Sequence, residues 1–395
     1  MKRRHFIAAS LAALGTTNPV LADARGFGNW IANFRSRANA AGVSDRTFNA
    51  AFQGAQYLQD SIDRDRNQSE FVKPLADYMS TAASDDRVRN GRAMLQQHGR
   101  LLSLIEATYN VEPHVVLAVW GMESNYGQRR GSTPLISTLA TLAYDGRRGR
   151  FFESQLIAAL KILQNGDVAP QNMTGSWAGA MGHTQFIPTS YEAYAVDFTG
   201  DGRRDIWADD PSDALASTAA YFRRFGWQKG QPWGVEVLLP SGFDFSQTGR
   251  SVTRSPAAWA QAGVGDVNGR AVPNYGDASL ITPTGAGGPA FLVFRNFDVI
   301  SRYNNAEAYI IGVGHLGDRI RGMDPLRAQW PVGERRLRRA ERTELQQRLT
   351  NAGFSTGGVD GQIGPNTRAA IKAYQASRGL PQDGHPSFSL LERLR

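Results

Sequence analysis

The sequence of 395 residues contains no cysteine. This absence excludes disulfide bonds and a lipid anchor attached through a cysteine. Histidine is also scarce: its six residues form no HExxH zinc motif, and no GxSxG motif supplies a serine nucleophile. Beyond the amino terminus no apolar run is long enough to span a membrane. The chain therefore reads as neither a metalloprotease, a serine hydrolase nor an integral membrane protein.

The amino terminus has the features of an export signal. Basic residues at positions 2–4 precede an apolar run at 6–14, and Val20 and Ala22 offer a small-residue cleavage site. The paired arginines Arg3 and Arg4 also resemble a twin-arginine signal, so either export route fits. We expect residues 1–22 to be removed, and the mature protein to be soluble in the periplasm without a lipid anchor.

The chain is basic, with a formal net charge of +8, and it stays basic when the signal is removed. A basic surface attracts anionic polymers without distinguishing among them. In an exported bacterial-type protein we expect that polymer to be the cell wall and not nucleic acid.

The most informative stretch runs from His114 to Gly127 and ends in a lone carboxylate, Glu123. Residues 115–122 are apolar on every helical face, which predicts a buried helix that starts near Pro113 and ends by Gly127. A carboxylate at the end of such a helix would be partly desolvated, which raises its pKa toward the range of a general acid. The alternative is a glutamate that reaches solvent or pairs with an arginine.

Small residues are dense in the segment 176–198. Gly175, Gly179, Ala180 and Gly182 allow close backbone approach, and Ser176 and Gln185 add hydrogen-bonding groups nearby. Such a mixture suits a flat ligand such as a sugar. It equally suits a tight helix–helix contact.

The next segment, 197–208, resembles an EF-hand loop. Oxygen-bearing residues occupy positions one, three, five and nine, and glycine occupies position six. Position twelve is Ala208 where a bidentate glutamate belongs, so Asp209, Asp210 or Asp213 would have to close a calcium site. The alternative is a plain Asp-Gly turn. The residues that would hold this structural, non-catalytic calcium are Asp197, Thr199, Asp201, Arg203 and Asp213.

Periodicity predicts a mainly α (α+β) chain. Helical patterns cover 27–91, 135–144 and 151–163, and the Gly-, Pro-, Ser- and Thr-rich stretch at about 228–294 predicts a small β-containing insert. Helical pattern then resumes with polar Tyr303, Asn304 and Tyr309 among apolar residues, where a cleft would satisfy them. After Pro325 and Pro331 the pattern restarts as three short helices. We place an exported domain at 23–320, a linker at 321–336 and a small domain at 337–395.

Four ordered motifs resemble the lytic murein transglycosylase B family: VWGMESNYG, SWAGAMGHTQFIPTSYEAYAVDFTGDGRRDIW, NFDVISRYNNAEAY and a tail similar to three-helix peptidoglycan-binding domains, with LQQRLTNAGF, VDGQIGPNTRAAIKAYQ and GLPQDG. The resemblance implies a lysozyme-like helical domain with Glu123 as its single catalytic acid/base. It also implies an EF-hand-like metal site at Asp197, and it assigns no role to His183. The residues at positions matching the family's substrate cleft are Ser176, Gln185, Tyr221, Tyr303, Asn304, Tyr309 and Tyr78.

The activity that this resemblance implies is cleavage of the MurNAc–GlcNAc β-1,4 bond of peptidoglycan with formation of 1,6-anhydro-MurNAc. No cofactor is required, the partner is the glycan strand, and we expect a monomer. The alternatives are a lysozyme-like muramidase, which needs a second carboxylate and a positioned water, and a non-catalytic peptidoglycan-binding protein, which would not need Glu123.

Overall fold

The computed structural model describes residues 24–66 and 74–395, so the predicted export signal at 1–22 lies outside the described residues. Chain contacts divide the described residues into two compact units. The first unit contains 24–66 and 86–225, and the second contains 74–85 and 226–395. The domain boundaries inferred from the sequence stay a prediction. Across the described residues no helix combines the length and the apolar character needed to cross a bilayer.

The first unit is almost entirely helical, which confirms the predicted fold class. Its only described strands are β1 (Thr133–Pro134) and β2 (Thr174–Gly175), which pair antiparallel. Its helices are α1 (Ala24–Ala40), α2 (Asp45–Phe52), α3 (Gln59–Arg66), α5 (Asp85–Gln97, from the unit boundary), α6 (Gly99–Tyr109), α7 (Pro113–Ser124), α8 (Leu135–Asp145), α9 (Gly149–Asn165), α10 (Pro188–Tyr194) and α11 (Ser212–Arg224).

Helix α7 is the buried helix predicted from its apolar sequence. It begins with Pro113 in its first turn, where the missing N–H costs no hydrogen bond, and every residue from Val115 to Gly121 is buried. It packs against α6 and α11. It ends at Ser124, earlier than the glycine stop predicted at Gly127, because Asn125 and Tyr126 already adopt left-handed backbone with φ of 51° and 59°.

The second unit contains α4 (Leu75–Ala82) and the predicted β-containing insert. The insert forms an antiparallel sheet in the order β4-β6-β7-β3-β5. Its core includes Trp259, whose indole N–H donates to the Ala278 carbonyl at 2.9 Å, and Leu280 and Leu292 of the two central strands. The elements of the insert are β3 (Gly234–Leu238), β4 (Thr253–Arg254), α12 (Pro256–Gln261), β5 (Gly265–Asp266), β6 (Ala278–Ile281) and β7 (Ala290–Val293).

Two further helices of the second unit, α13 (Arg295–Tyr303) and α14 (Glu307–Ile320), follow the sheet and contact each other. The tail then forms the three predicted helices around a small apolar core, in which Leu345, Leu349, Ile371 and Leu391 are fully buried. Those helices are α15 (Arg339–Asn351), α16 (Pro365–Ser377) and α17 (Phe388–Leu394).

The tail uses the same device twice to hold its Asp-Gly turns. The Gln346 side chain accepts a hydrogen bond from the Gly361 N–H at 2.7 Å and donates one to the Asp360 carboxylate at 3.1 Å. Gln375 repeats both bonds with the turn at 383–384, at 2.9 and 2.6 Å. Since buried amides satisfied in this way fix loop geometry, the polar turns of this small domain are as defined as its helices.

Candidate active site

Glu123 lies in the last turn of α7 and is half-buried, while the helix that carries it is buried on all sides. The position matches the prediction that the carboxylate emerges where the helix leaves the core. A partly desolvated carboxylate on a rigid helix end is a suitable proton donor and acceptor for a bound substrate.

The residue after Glu123 anchors this helix end. The Ser124 hydroxyl is buried, donates to the His183 carbonyl at 2.5 Å and accepts from the Gly127 N–H at 2.9 Å. One side chain therefore fixes both the turn that follows α7 and the segment that contains Ser176 and Gln185. A catalytic group gains precision when its neighbours are held in this way.

Ser176 and Gln185 are both held by backbone hydrogen bonds. The Ser176 hydroxyl accepts from the N–H groups of Ala178 and Ala180 at 3.3 and 3.0 Å. The Gln185 amide donates to the carbonyls of Arg130 and Gly182 at 3.0 and 2.9 Å. With these bonds in place, the Ser176 hydroxyl can still donate a hydrogen bond to a ligand, and the Gln185 side-chain oxygen can still accept one.

Gln185 also has φ of 54°, the left-handed region that non-glycine residues rarely adopt. Backbone conformations of this kind cost about 1–3 kcal/mol and persist where the surroundings impose them. The two hydrogen bonds that the Gln185 side-chain amide donates help to hold the backbone in this conformation. The strain lies at a residue that the family resemblance assigns to the substrate cleft.

The small residues of this segment allow close contacts within the chain, but the glycines lie outside helices, so these are not the helix–helix contact left open by the sequence. A Cβ on Gly175 would lie 2.2 Å from the Ala180 carbonyl oxygen, and one on Gly182 would lie 2.3 Å from the Ile206 carbonyl oxygen. Gly179 packs in the same way against Leu139. The glycines shape the backbone that presents Ser176 and Gln185.

Tyr221 is only 1% exposed, so its ring has almost no surface on which a sugar could stack. It packs in an aromatic cluster with Phe186, Tyr194 and Phe225, at ring distances of 6.0, 4.9 and 4.6 Å. This burial does not support a stacking role for the ring, which contacts that of Phe186, the residue after Gln185. The assignment of Tyr221 to the cleft stays a prediction.

The four remaining cleft candidates lie in the second unit, on neighbouring helices. Tyr78 is half-buried on α4, which packs against α14, the helix that carries the buried Tyr309. Tyr303 ends α13 and is also buried. Asn304 follows it, half-buried, and its side-chain oxygen accepts from the Ala306 N–H at 3.0 Å, which leaves the amide hydrogens to offer.

The EF-hand-like loop is organised by its own backbone. The Asp197 carboxylate accepts from the N–H groups of Gly200 and Gly202 at 2.7 and 2.8 Å. One Asp213 oxygen accepts from the N–H groups of Phe198 and Thr199, and the other accepts from that of Asp205.

Asp213, one of the three residues that could close a calcium site in place of Ala208, therefore directs both of its oxygens to N–H groups. Among residues 24–66 and 74–395 no group of three or more His, Asp or Glu side chains is arranged to hold a metal ion. The loop is therefore braced by its own backbone N–H groups, and the predicted metal set of Asp197, Thr199, Asp201, Arg203 and Asp213 stays a prediction.

We expect calcium to leave the thermal stability of this protein unchanged. Even an EF-hand of the weakest class would be at least half filled at about 1 mM calcium, and a filled site would raise the melting temperature by mass action. The measurement is a melting curve with calcium and with a chelator. Asp213→Asn is the internal comparison: it should lower the melting temperature equally in both conditions. A calcium-dependent rise in the wild type would contradict this prediction.

One residue that sequence reasoning left without a role stands at the centre of the helix end. His183 is 4% exposed and lies between α7 and residues 206–208, with Trp120 as its partner on α7. The two are 63 positions apart in the sequence, so no local pattern indicates the contact.

Comparisons with known proteins agree on one family. Residues 26–318 match the transglycosylase SLT domain, and residues 338–394 match a putative peptidoglycan binding domain. Over 250 residues the chain is 34% identical to membrane-bound lytic murein transglycosylase B of Escherichia coli K12, a match that covers 62% of this chain and 66% of that protein.

Two solved structures are similar to this one. SltB3 of Pseudomonas aeruginosa, in complex with NAG-anhNAM-pentapeptide, is 49% identical with a TM-score of 0.87, over 93% of this chain and 99% of that one. The Escherichia coli lytic transglycosylase Slt35, in complex with calcium, is 29% identical with a TM-score of 0.64, over 76% of this chain and 94% of that one.

Proposed function

Because this chain belongs to the transglycosylase SLT family and is a lytic transglycosylase of peptidoglycan, we propose that Glu123 is its single acid/base. The observation that supports this role is the place of the carboxylate. Glu123 is half-buried in the last turn of a helix that is buried from Val115 to Gly121, and the next residue ties that turn to the segment of Ser176 and Gln185.

The reaction that suits one carboxylate is an intramolecular transfer. Protonated Glu123 gives its proton to the glycosidic oxygen between MurNAc and GlcNAc as the bond to the anomeric carbon breaks. The ionised carboxylate then takes the proton of the muramic 6-hydroxyl as that oxygen bonds to the same carbon. Glu123 ends protonated again, no water is consumed, and the product carries a 1,6-anhydro ring. The internal hydroxyl replaces the second carboxylate and the water that a hydrolase requires.

The other groups that the family resemblance assigns to substrate binding have distinct hydrogen-bonding roles in this proposal. Ser176 offers a hydroxyl proton to the substrate's N-acetyl oxygen, while the Gln185 side-chain oxygen accepts from a sugar hydroxyl or amide. In the second unit Asn304 offers its amide hydrogens to sugar oxygens. Of the four tyrosines assigned to the cleft, Tyr78 is the least buried, so we assign the contact with a sugar face to it.

The site of action that we propose is the periplasm, reached through the export signal at 1–22. The basic character of the chain suits an anionic wall polymer. The tail at 337–395 adds a second contact with the same polymer, which raises the effective concentration of glycan at the catalytic unit. Monomeric action and independence from any cofactor complete the proposal.

The experiment that tests this reaction is mass spectrometry of the soluble products released from purified peptidoglycan. We expect fragments that end in anhydro-muramic acid, one water lighter than fragments with a reducing end. Incubation in ¹⁸O-labelled water is the control, because a transfer that consumes no water incorporates no label. Labelled reducing ends would instead establish the muramidase alternative, and binding without release of fragments would establish the non-catalytic one.

A further inference from the structure

The hydrogen bonds around His183 fix its protonation and its tautomer. The Trp120 indole nitrogen, which can only donate, lies 3.1 Å from Nδ1 of His183, so Nδ1 must accept and carries no proton. Nε2 must then carry the ring proton, and it donates to the Ala208 carbonyl oxygen at 2.7 Å. The ring is therefore neutral, with an acceptor facing α7 and a donor facing the loop at 206–208.

The surroundings of His183 keep the ring in that state. Burial lowers the pKa of His183 below its ordinary value of 6.5. The charged groups that face it are Arg130, Asp205 and Asp209. Arg130 donates to the Ala208 carbonyl at 2.9 Å, so that oxygen accepts from both side chains and holds the donor side of the ring in place.

His183 contacts the end of α7 at three points. Its ring accepts from Trp120, one helical turn before Glu123, and its carbonyl accepts from Ser124, directly after Glu123. Gly127, in the turn that follows, approaches the ring so closely that a Cβ there would lie 2.6 Å from Nδ1. Glu123 is thus bracketed by two hydrogen bonds to a single residue.

We propose that His183 is a positioning residue for Glu123. By accepting a hydrogen bond from the Trp120 indole N–H, it fixes the rotation of the last turn of α7 about the helix axis and its position along that axis. This inference rests on the proposed role of Glu123. His183 does not touch the substrate in this proposal, and it exchanges no proton with it. Its contribution is geometric, and a displacement of about 1 Å at a reacting group can cost about a hundredfold in rate.

Three substitutions separate the two ring functions. The side-chain oxygen of asparagine reaches the place of Nδ1, so His183→Asn keeps the acceptor for Trp120 and loses the donor to Ala208. His183→Gln has the opposite effect, because its amide nitrogen reaches the place of Nε2. His183→Phe keeps a planar ring but loses both ring hydrogen bonds. Circular dichroism verifies the fold of each variant before activity is compared.

The readout is the initial rate of release of soluble fragments over a range of peptidoglycan concentrations. We expect His183→Gln and His183→Phe to lose about 10- to 100-fold in kcat, with KM changed less than about twofold, because the acid is misplaced while the binding surface remains. We expect His183→Asn to stay within about threefold of the wild-type kcat, since only one neutral hydrogen bond is lost.

Trp120→Phe removes the donor of the same hydrogen bond. It tests the proposal independently if a His183 variant fails to fold. It should lower kcat without changing KM. In its background His183→Asn and His183→Gln should differ by no more than about threefold, the effect of the bond to Ala208, because the contact that separates them is gone. Equal losses in His183→Asn and His183→Gln, a wild-type kcat in His183→Phe, or a change in KM alone would overturn the proposal. Activity retained in Glu123→Gln would instead overturn the role of Glu123, so the two failures are distinguishable.

Discussion

Glu123→Gln will fold like the wild type and release soluble fragments from peptidoglycan about a hundred- to ten-thousand-fold more slowly, the range that general acid/base catalysis supplies. The amide keeps the size of the side chain, so the packing of the last turn of α7 is preserved. It cannot give a proton to the glycosidic oxygen, and it cannot take one from the attacking hydroxyl. Both half-steps of the transfer fail together.

The matched control is Glu112→Gln. Glu112 is the N-cap residue at the other end of the same helix and is also half-buried, so this variant makes the same chemical change on the same helix. It should retain wild-type activity. The measurement is the rate of fragment release, with melting curves for both variants. If Glu123→Gln digests peptidoglycan at a rate comparable to that of Glu112→Gln, the acid/base of this enzyme is a different residue.

The helix that carries Glu123 could be predicted because its sequence leaves few alternatives. An apolar run without a polar face must be buried, and Pro113 sets its start. Its end could not be predicted from the glycine rule. Tyr126 closes the helix early, because its ring packs on Gly121 and its hydroxyl donates to the Arg87 carbonyl at 2.8 Å. That contact lies 39 residues away, beyond any local pattern.

The supporting residues show the same limit. Ser176 and Gln185 could be singled out from the sequence, and most of the bonds that hold them are local, to Ala178, Ala180 and Gly182. The bond from Gln185 to the Arg130 carbonyl spans 55 positions, so only the folded chain shows it. His183 had no role in sequence reasoning, because a lone histidine signals nothing until its partner is known. The spacing of residues 197–208 indicated a loop. The hydrogen bonds that the Asp213 carboxylate accepts from that loop could not be predicted, because they depend on where α11 begins.

The dense glycines of the segment 175–182 left two interpretations open, and the structure attributes them to contacts within the chain. Gly182→Ala will therefore be the most destabilising single-methyl change in this segment. Gly182 has φ of +68°, and its Cβ would lie 2.3 Å from a backbone oxygen, that of Ile206, which cannot rotate away. Left-handed backbone costs a non-glycine residue about 1–2 kcal/mol, and overpacking adds about 1–3 kcal/mol, so we expect a loss of about 2–5 kcal/mol.

Gly166→Ala separates these two contributions. Gly166 ends α9 with φ of +80°, and nothing lies within 4 Å of its Cβ, so this variant adds the same backbone strain without the steric clash. Thermal melting should show a much smaller loss for Gly166→Ala than for Gly182→Ala. Equal losses would mean that the Ile206 backbone moves aside at little cost. The tight packing of Gly182 against Ile206, inferred as rigid support for the segment that carries Gln185, would then be wrong.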